Sequence, residues 1–338
     1  MNLYNRLSNL ESIEILDKSK EERLTLSFYK YFKIENLVIF RNYLFSSWSK
    51  IRILGRIYVA KEGINAQLSL PKKKLNFFIT ELDKIKPLKG IRLNFAITHD
   101  LKSFLKLKIK IRTQIVADGI LDKNFDPTYI GKHVGASEFN KILSEKESVC
   151  IDMRNHYESE IGNFIGAITP DVDSFKDSIK FIENKFQDEN KKKKILLYCT
   201  GGIRCEKASA YLKHKGFENV YQLDGGIINY VRQTKKNNLS NKFVGKNFVF
   251  DNRLSEKITN DVISKCHQCG MDSDNHVNCS NVACNILFLQ CKSCNQKFSG
   301  CCSTECKKIN ALPLKEQKIL RRGEKVSRKI FKKKLKSL

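Results

Sequence analysis

The stretch "ILLYCTGGIRCEKASAYL", residues 195–212, constrains the architecture of this chain more than any other. A short apolar run reaches Cys199, two glycines turn the backbone, and a helical pattern follows from about Cys205. An apolar run too short for a buried helix, closed by a glycine turn and a helix, reads as a buried strand of a parallel sheet. Neighbouring segments repeat the pattern. "SVCIDMR" is a strand ending at Asp152 and Arg154, "GASEFNKIL" a short helix capped by Ser137, and "NVYQLDGG" a further strand. Strands alternating with helices predict an α/β domain over 135–236, with its chemistry in loops at the carboxyl ends of the strands.

Upstream the order of elements changes. "RLTLSFYKYF" (23–32) reads as a strand, "IENLVIFRNYLFSSW" (34–48) as an amphipathic helix, and 51–60 and 64–70 as two strands around Lys61-Glu62-Gly63. A helix over 72–85, preceded by Pro71, and the strand "IRLNFAI" (91–97) complete the order β-α-β-β-α-β. That is the order of a ferredoxin-like or acylphosphatase-like α+β domain, expected over 1–118. "FLKLKIKIRTQIV" (104–116) alternates apolar and basic residues, as an exposed edge or extra strand does. Trp48 and the phenylalanines at helical or strand spacing are core candidates. His99, His133, His156 and His214 lie in polar contexts and read as surface or satisfied residues.

In the cysteine loop, Gly201 and Gly202 let consecutive N–H groups turn inward as an anion-binding nest. The following helix aims its positive end at the same spot, and Arg204 adds a full charge. Such surroundings pull a thiol from about 8.5 into the range of roughly 4 to 7.5, making Cys199 a thiolate nucleophile at neutral pH. Only Thr200, Gly201, Gly202 and Ile203 separate Cys199 from Arg204. A phosphate cradle is wider by one residue, so this tighter loop suits a single terminal sulfur better. Cys205, six residues on, reads either as a resolving thiol or, preferably, as the residue at the helix cap.

The formal charge of +26, from 62 basic and 36 acidic residues, suits a polyanionic partner, although 48 of the 62 are lysine, as an AT-biased genome also produces. Residues 313–338 form a basic tail, read as a helix fading into a disordered segment. No apolar run approaches the roughly 18 residues of a membrane span, and the polar N-terminus is no secretory signal. A cytoplasmic location follows as an expectation, so the twelve cysteines are not a disulfide framework. Nine of them fall between 266 and 306, in a Cys-rich region expected over 237–312. Cys266/Cys269 and Cys291/Cys294 are two CxxC knuckles able to share one structural zinc ion. Cys279, Cys284, Cys301, Cys302, Cys306, His267 and His276 are candidates for a second site.

"DMRNHYESEIGNFIGA" (152–167), "YCTGGIRCEKASAYL" and "VYQLDGGI" (220–227) resemble the opening, active-loop and closing motifs of rhodaneses. Asn163 and Cys205 depart from that pattern, in which His and Ser or Thr are common. With "GRIYVAKEGINAQLSLP" (55–71), "GKNFVFDNRL" (245–254) and "CHQCG" (266–270), the whole resembles the rhodanese-domain tRNA uridine hydroxylases over roughly 20–315. The resemblance implies oxygen-dependent formation of 5-hydroxyuridine at the wobble position, U34, with tRNA bound at its anticodon region, molecular oxygen as co-substrate and Cys199 as the active cysteine. The alternative is a rhodanese-type sulfurtransferase that carries a Cys199 persulfide to a protein or small-molecule acceptor.

Overall fold

The structure, a computed structural model, describes Asn5 and residues 7–122, 124–323 and 330–331. The chain forms two compact units. The first comprises Met1–Asn155, Gly166–Asn241 and Val249–Glu256; the second comprises His156–Ile165, Lys242–Phe248 and Lys257–Leu338. In chain order the elements are α1 (Asn9–Ser19), β1 (Arg23–Tyr31), α2 (Leu37–Lys50), β2 (Leu54–Ala60), β3 (Gly63–Pro71), α3 (Leu75–Asp83), β4 (Asn94–Phe95) and β5 (Leu107–Ile111). Next come β6 (Lys132–Val134), α4 (Ala136–Leu143), β7 (Ser148–Asp152), α5 (His156–Ser159), β8 (Gly162–Phe164), α6 (Phe175–Lys185), β9 (Lys194–Tyr198), α7 (Ile203–His214), β10 (Val220–Leu223) and α8 (Gly226–Lys236). The chain ends with β11 (Phe243–Phe248), β12 (Ser255–Lys257), β13 (His276–Asn278), β14 (Leu287–Leu289), α9 (Lys292–Phe298), α10 (Thr304–Ala311) and α11 (Leu314–Leu320).

The first sheet has the order β4-β1-β3-β2-β5. Its first four strands follow the expected β-α-β-β-α-β order and are antiparallel, while β5 lies parallel to β2 at the edge. Period-two alternation sends Leu26 and Phe28 of β1 into a core around Trp48, whose ring meets Phe28 and Phe78 edge-on. The intervening Ser27, Tyr29 and Tyr31 therefore lie on the opposite face. β4 is shorter than the strand expected over 91–97. After Ala96 the N–H groups of Ile97 and Thr98 leave the ladder and donate to the Glu256 carboxylate, at 2.9 and 3.3 Å. Helix α1 is an addition to the expected elements. Ser8 and Glu11 close a capping box at its start.

The second sheet of this unit is wholly parallel, in the order β6-β10-β9-β7. Ile195 and Leu197 of β9 are fully buried in a core shared with α6 and α7. Ser137 does not cap α4. The extended residue Gly135 is the N-cap, and the Gln233 carboxamide oxygen accepts the Ala136 N–H at 2.7 Å.

In the second unit β8 pairs antiparallel with β11, and β13 with β14. Of the basic tail, 314–320 is helical, Ile330 bridges to Leu287, and the Phe331 ring stacks on His267 at 4.3 Å. Residues 324–329 and 332–338, half of the tail, lie outside the described residues. Among the described residues no helix is long and apolar enough to cross a membrane.

Candidate active site

Cys199 follows β9 and is fully buried. Two features shape its loop. The N–H groups of Ile227 and Ile228, at the start of α8, donate to the carbonyls of Cys199 and Thr200 at 3.0 and 3.3 Å. A Cβ on Gly226 would lie 2.5 Å from the Cys199 carbonyl oxygen, so the closing motif needs glycine to pack this tightly. Gly202, with φ +103°, then turns the chain into α7 and points its own N–H at Cys199 Sγ, 3.1 Å away. The loop therefore offers its carbonyls to α8 and its amides to the sulfur.

Burial alone pushes the Cys199 thiol up. The Cys205 thiol, the Arg204 charge and the N–H groups of Gly202 and Arg204 outweigh that effect and bring its pKa down to about 6. Cys205 moves the opposite way. Burial, and then its bond to Cys199, hold it well above the usual thiol range, so it stays protonated and donates to the Cys199 thiolate. Cys205 is not the helix cap; Gly202 is, and Cys205 sits three residues inside the helix with its side chain in the core. Ile203 is the first residue of α7. Arg204 is buried, with its guanidinium 5.9 Å from the centre of the Phe250 ring. Thr200 Oγ1 is buried without a hydrogen-bond partner among the described residues. Behind the loop, Asp152 and Arg154 form a wholly buried ion pair in which Nε donates to Oδ1 at 2.9 Å.

The remaining residues of the site come from the first sheet, from β6 and from α7 itself. Tyr29 Oη donates to Glu206 at 3.0 Å, and lies 2.8 Å from where a Gly202 Cβ would stand. Burial and the neighbouring Glu206 push the Tyr29 phenol up, so it remains a neutral donor. His133 Nε2 meets the same Glu206 oxygen, Oε1, at 3.2 Å. That bond raises the pKa of the imidazole, and His133 is the exposed, hydrogen-bonded residue expected, tied here to Glu206. Lys207, 2% exposed, is held between Glu62 (2.8 Å) and Asp118. Ser27 Oγ and Asn94 Nδ2 stand 3.9 and 4.0 Å from the Cβ position of Gly201, and neither side chain makes a hydrogen bond among the described residues.

In the second unit the cysteines gather as two tetrads. The ligand atoms of Cys266, Cys269, Cys291 and Cys294 lie within 4.8 Å of one another, as do those of Cys279, Cys284, Cys302 and Cys306. Cys301, His267 and His276 belong to neither. Cys301 Sγ instead donates to the Ser299 carbonyl at 3.7 Å, and His267 Nε2 bonds Glu160 at 2.8 Å.

A thiolate loop at the carboxyl end of a parallel strand, preceded by an acylphosphatase-like sheet, defines a rhodanese-like protein of composite build. Residues 23–115 match the UPF0176 acylphosphatase like domain, 135–233 the rhodanese-like domain, and 244–307 the rhodanase C-terminal family. The tRNA uridine(34) hydroxylase of Leptospira interrogans is 49% identical over 97% of this chain and 90% of its own. Those of Photorhabdus laumondii and Pectobacterium atrosepticum are 48% and 47% identical over 98% of this chain, and over 94% and 93% of their own. Among solved structures, the rhodanese-like domain of an Anabaena protein covers 34% of this chain and 80% of its own, at 20% identity and a TM-score of 0.27. The chain belongs to the tRNA uridine(34) hydroxylase family.

Proposed function

We propose that this chain hydroxylates uridine 34 of tRNA and that the Cys199 thiolate is the group that acts on the base. The observation carrying this reading is the setting of that sulfur. It is anionic near neutral pH, faced by loop amides, and partnered by a thiol that keeps its proton. Addition of the thiolate to C6 of the uracil makes C5 nucleophilic. Oxygen supplies the atom that becomes the 5-hydroxyl, and reducing its second atom to water consumes two electrons from an external reductant. Loss of the C5 proton and of the thiolate from C6 restores the ring and frees Cys199. An alternative route through a sulfenic or persulfidic Cys199 uses the same residue. The sulfurtransferase reading rests on the rhodanese-like fold alone.

Asn94, with a free amide donor and acceptor beside Gly201, has the complement of the O4 and N3–H edge of uracil. An anticodon base is already unpaired, so drawing it into the loop costs little. In this reading residues 1–118 grip the tRNA, 135–236 carry the chemistry, 237–312 are braced by a zinc ion on Cys266, Cys269, Cys291 and Cys294, and the basic tail 313–338 adds phosphate contacts. Action on tRNA supports a cytoplasmic location.

The test is nucleoside mass spectrometry of tRNA from cells lacking the gene, complemented with wild-type or Cys199→Ala protein. Wild-type protein restores 5-hydroxyuridine and the variant does not. Equal levels with the two would remove Cys199 from the reaction.

A further inference from the structure

We infer that Cys279, Cys284, Cys302 and Cys306 form a second tetrahedral zinc site, interleaved with the first along the chain as a cross-brace. The inference extends the zinc reading of the first tetrad and is separable from it by experiment. The spacing of the sulfurs is the starting point. Cys284 and Cys302 stand 3.7 Å apart, as do Cys302 and Cys306. A disulfide needs about 2.05 Å, and all twelve cysteines are free. A single ion about 2.3 Å from four tetrahedral thiolates spaces them about 3.8 Å apart. The first tetrad has the same spacing, with 3.6 Å between Cys269 and Cys291. A multi-iron cluster attaches its thiolates to different irons and spreads them wider, so this geometry favours one ion per tetrad.

The surroundings treat these sulfurs as acceptors. The Cys302 N–H donates to Cys279 Sγ and the Asn281 amide to Cys306 Sγ, each at 3.4 Å. Donors of this kind orient ligating thiolates and offset their charge. The first tetrad shows the same device, the Cys294 N–H donating to Cys291 Sγ at 3.4 Å. Of the five cysteines open to a second site, the structure turns one away, Cys301, although it is fully buried and adjacent to Cys302.

Topology adds an independent argument. The cysteines run in four pairs, 266/269, 279/284, 291/294 and 302/306. The first tetrad takes the first and third pairs, and the second tetrad takes the second and fourth. Hairpin β13–β14 is the spacer. Cys279 and Cys284 lie in its connecting loop, whereas Cys266/Cys269 precede β13 and Cys291/Cys294 follow β14. The local core between them is thin. Its buried members are Cys279, Phe288 and Cys301, and three further cysteines pack against it. A segment whose core is largely thiol lacks the apolar area to hold itself folded, and bound metal supplies that deficit.

Metal counting on the full-length protein tests this. Native mass spectrometry and elemental analysis should find two zinc ions per chain. Cys284→Ser and Cys302→Ser should lose one or both, and Cys301→Ser, outside both tetrads, should keep two. Because a tetrad variant can become insoluble, the wild-type count is backed by titrating the wild-type thiols with a mercurial and measuring zinc release. Two equivalents released per chain supports the second site. A single zinc that survives Cys284→Ser and disappears in Cys269→Ser would overturn the second site and leave the first standing. No zinc in the wild-type protein, or an iron–sulfur chromophore, would overturn both.

Discussion

Replacing Cys205 with Ala removes one donor from a fully buried sulfur and leaves the loop backbone in place. A hydrogen bond to a charged group contributes roughly 1.5–3 kcal/mol, and one pKa unit corresponds to about 1.4 kcal/mol. The Cys199 midpoint should therefore rise by about 1–2 units from its value of about 6. At pH 7 the thiolate fraction falls from about nine-tenths to between about one-half and one-tenth. The assay is the pH dependence of alkylation by iodoacetamide, quantified on the Cys199 peptide by mass spectrometry. Such a readout ignores the other eleven thiols, and its midpoint is independent of how readily the reagent enters. Cys205→Ala should react roughly two- to tenfold more slowly at pH 7 and converge with wild type near pH 9. Cys205→Ser, which restores a donor, should return the midpoint toward wild type. Linkage fixes a second sign. The folded pKa lies below the ordinary 9.0, so ionisation of Cys199 stabilises the fold above pH 9, and that contribution is lost as pH falls through about 6. A wild-type midpoint near 9, or an Ala variant that titrates like wild type, would refute the account of how this thiolate is held.

Two further outcomes follow from the same geometry. Gly202→Ala combines φ +103° with a Cβ 2.8 Å from Tyr29 Oη, and strain of this kind costs about 1–3 kcal/mol. Its melting temperature and 5-hydroxyuridine yield should both fall, and adding Tyr29→Phe, which removes the crowding hydroxyl, should recover part of the loss in a thermal melt. On edge strand β5, Lys108 pairs with Arg56 of β2 and feels the like charges of Lys110 and of Lys106, the residue just before the strand. Burial first, and then these like charges, lower the pKa of Lys108, a cost that tRNA phosphates would relieve. Replacing the three lysines with Ala should weaken tRNA binding and flatten the plot of log affinity against log salt by about 0.7–0.9 for each phosphate no longer neutralised. An unchanged slope in filter binding would show that this strand does not meet the backbone.

The parallel sheet and the Cys199 loop are legible in the sequence because their signals are local: an apolar run, a double glycine and a helical period within eighteen residues. Helix α1 is not among the expected elements, although Ser8 and Glu11 carry the capping-box spacing that marks its start. Ser137 misleads because the start of α4 is completed by Gln233, 97 residues away. Cys205 misleads because the turn at Gly202 starts the helix earlier than the residue pattern suggests. What no local pattern supplies is the wall opposite the loop. Tyr29 reaches Glu206 across 177 positions, and the S-F-Y-K-Y alternation of β1 tells only that Ser27, Tyr29 and Tyr31 share a face, not what that face meets. The buried Lys207 depends on the same wall. Its two carboxylate partners, Glu62 and Asp118, lie outside 135–233, so in an isolated rhodanese-like domain Lys207 would lose both ion pairs. Together with Tyr29 on Glu206, that pairing makes the acylphosphatase-like sheet part of the structure that holds the Cys199 loop. The proposed reaction at Cys199 calls for such a second wall, because a base brought over the thiolate needs groups to hold it that the loop itself does not possess.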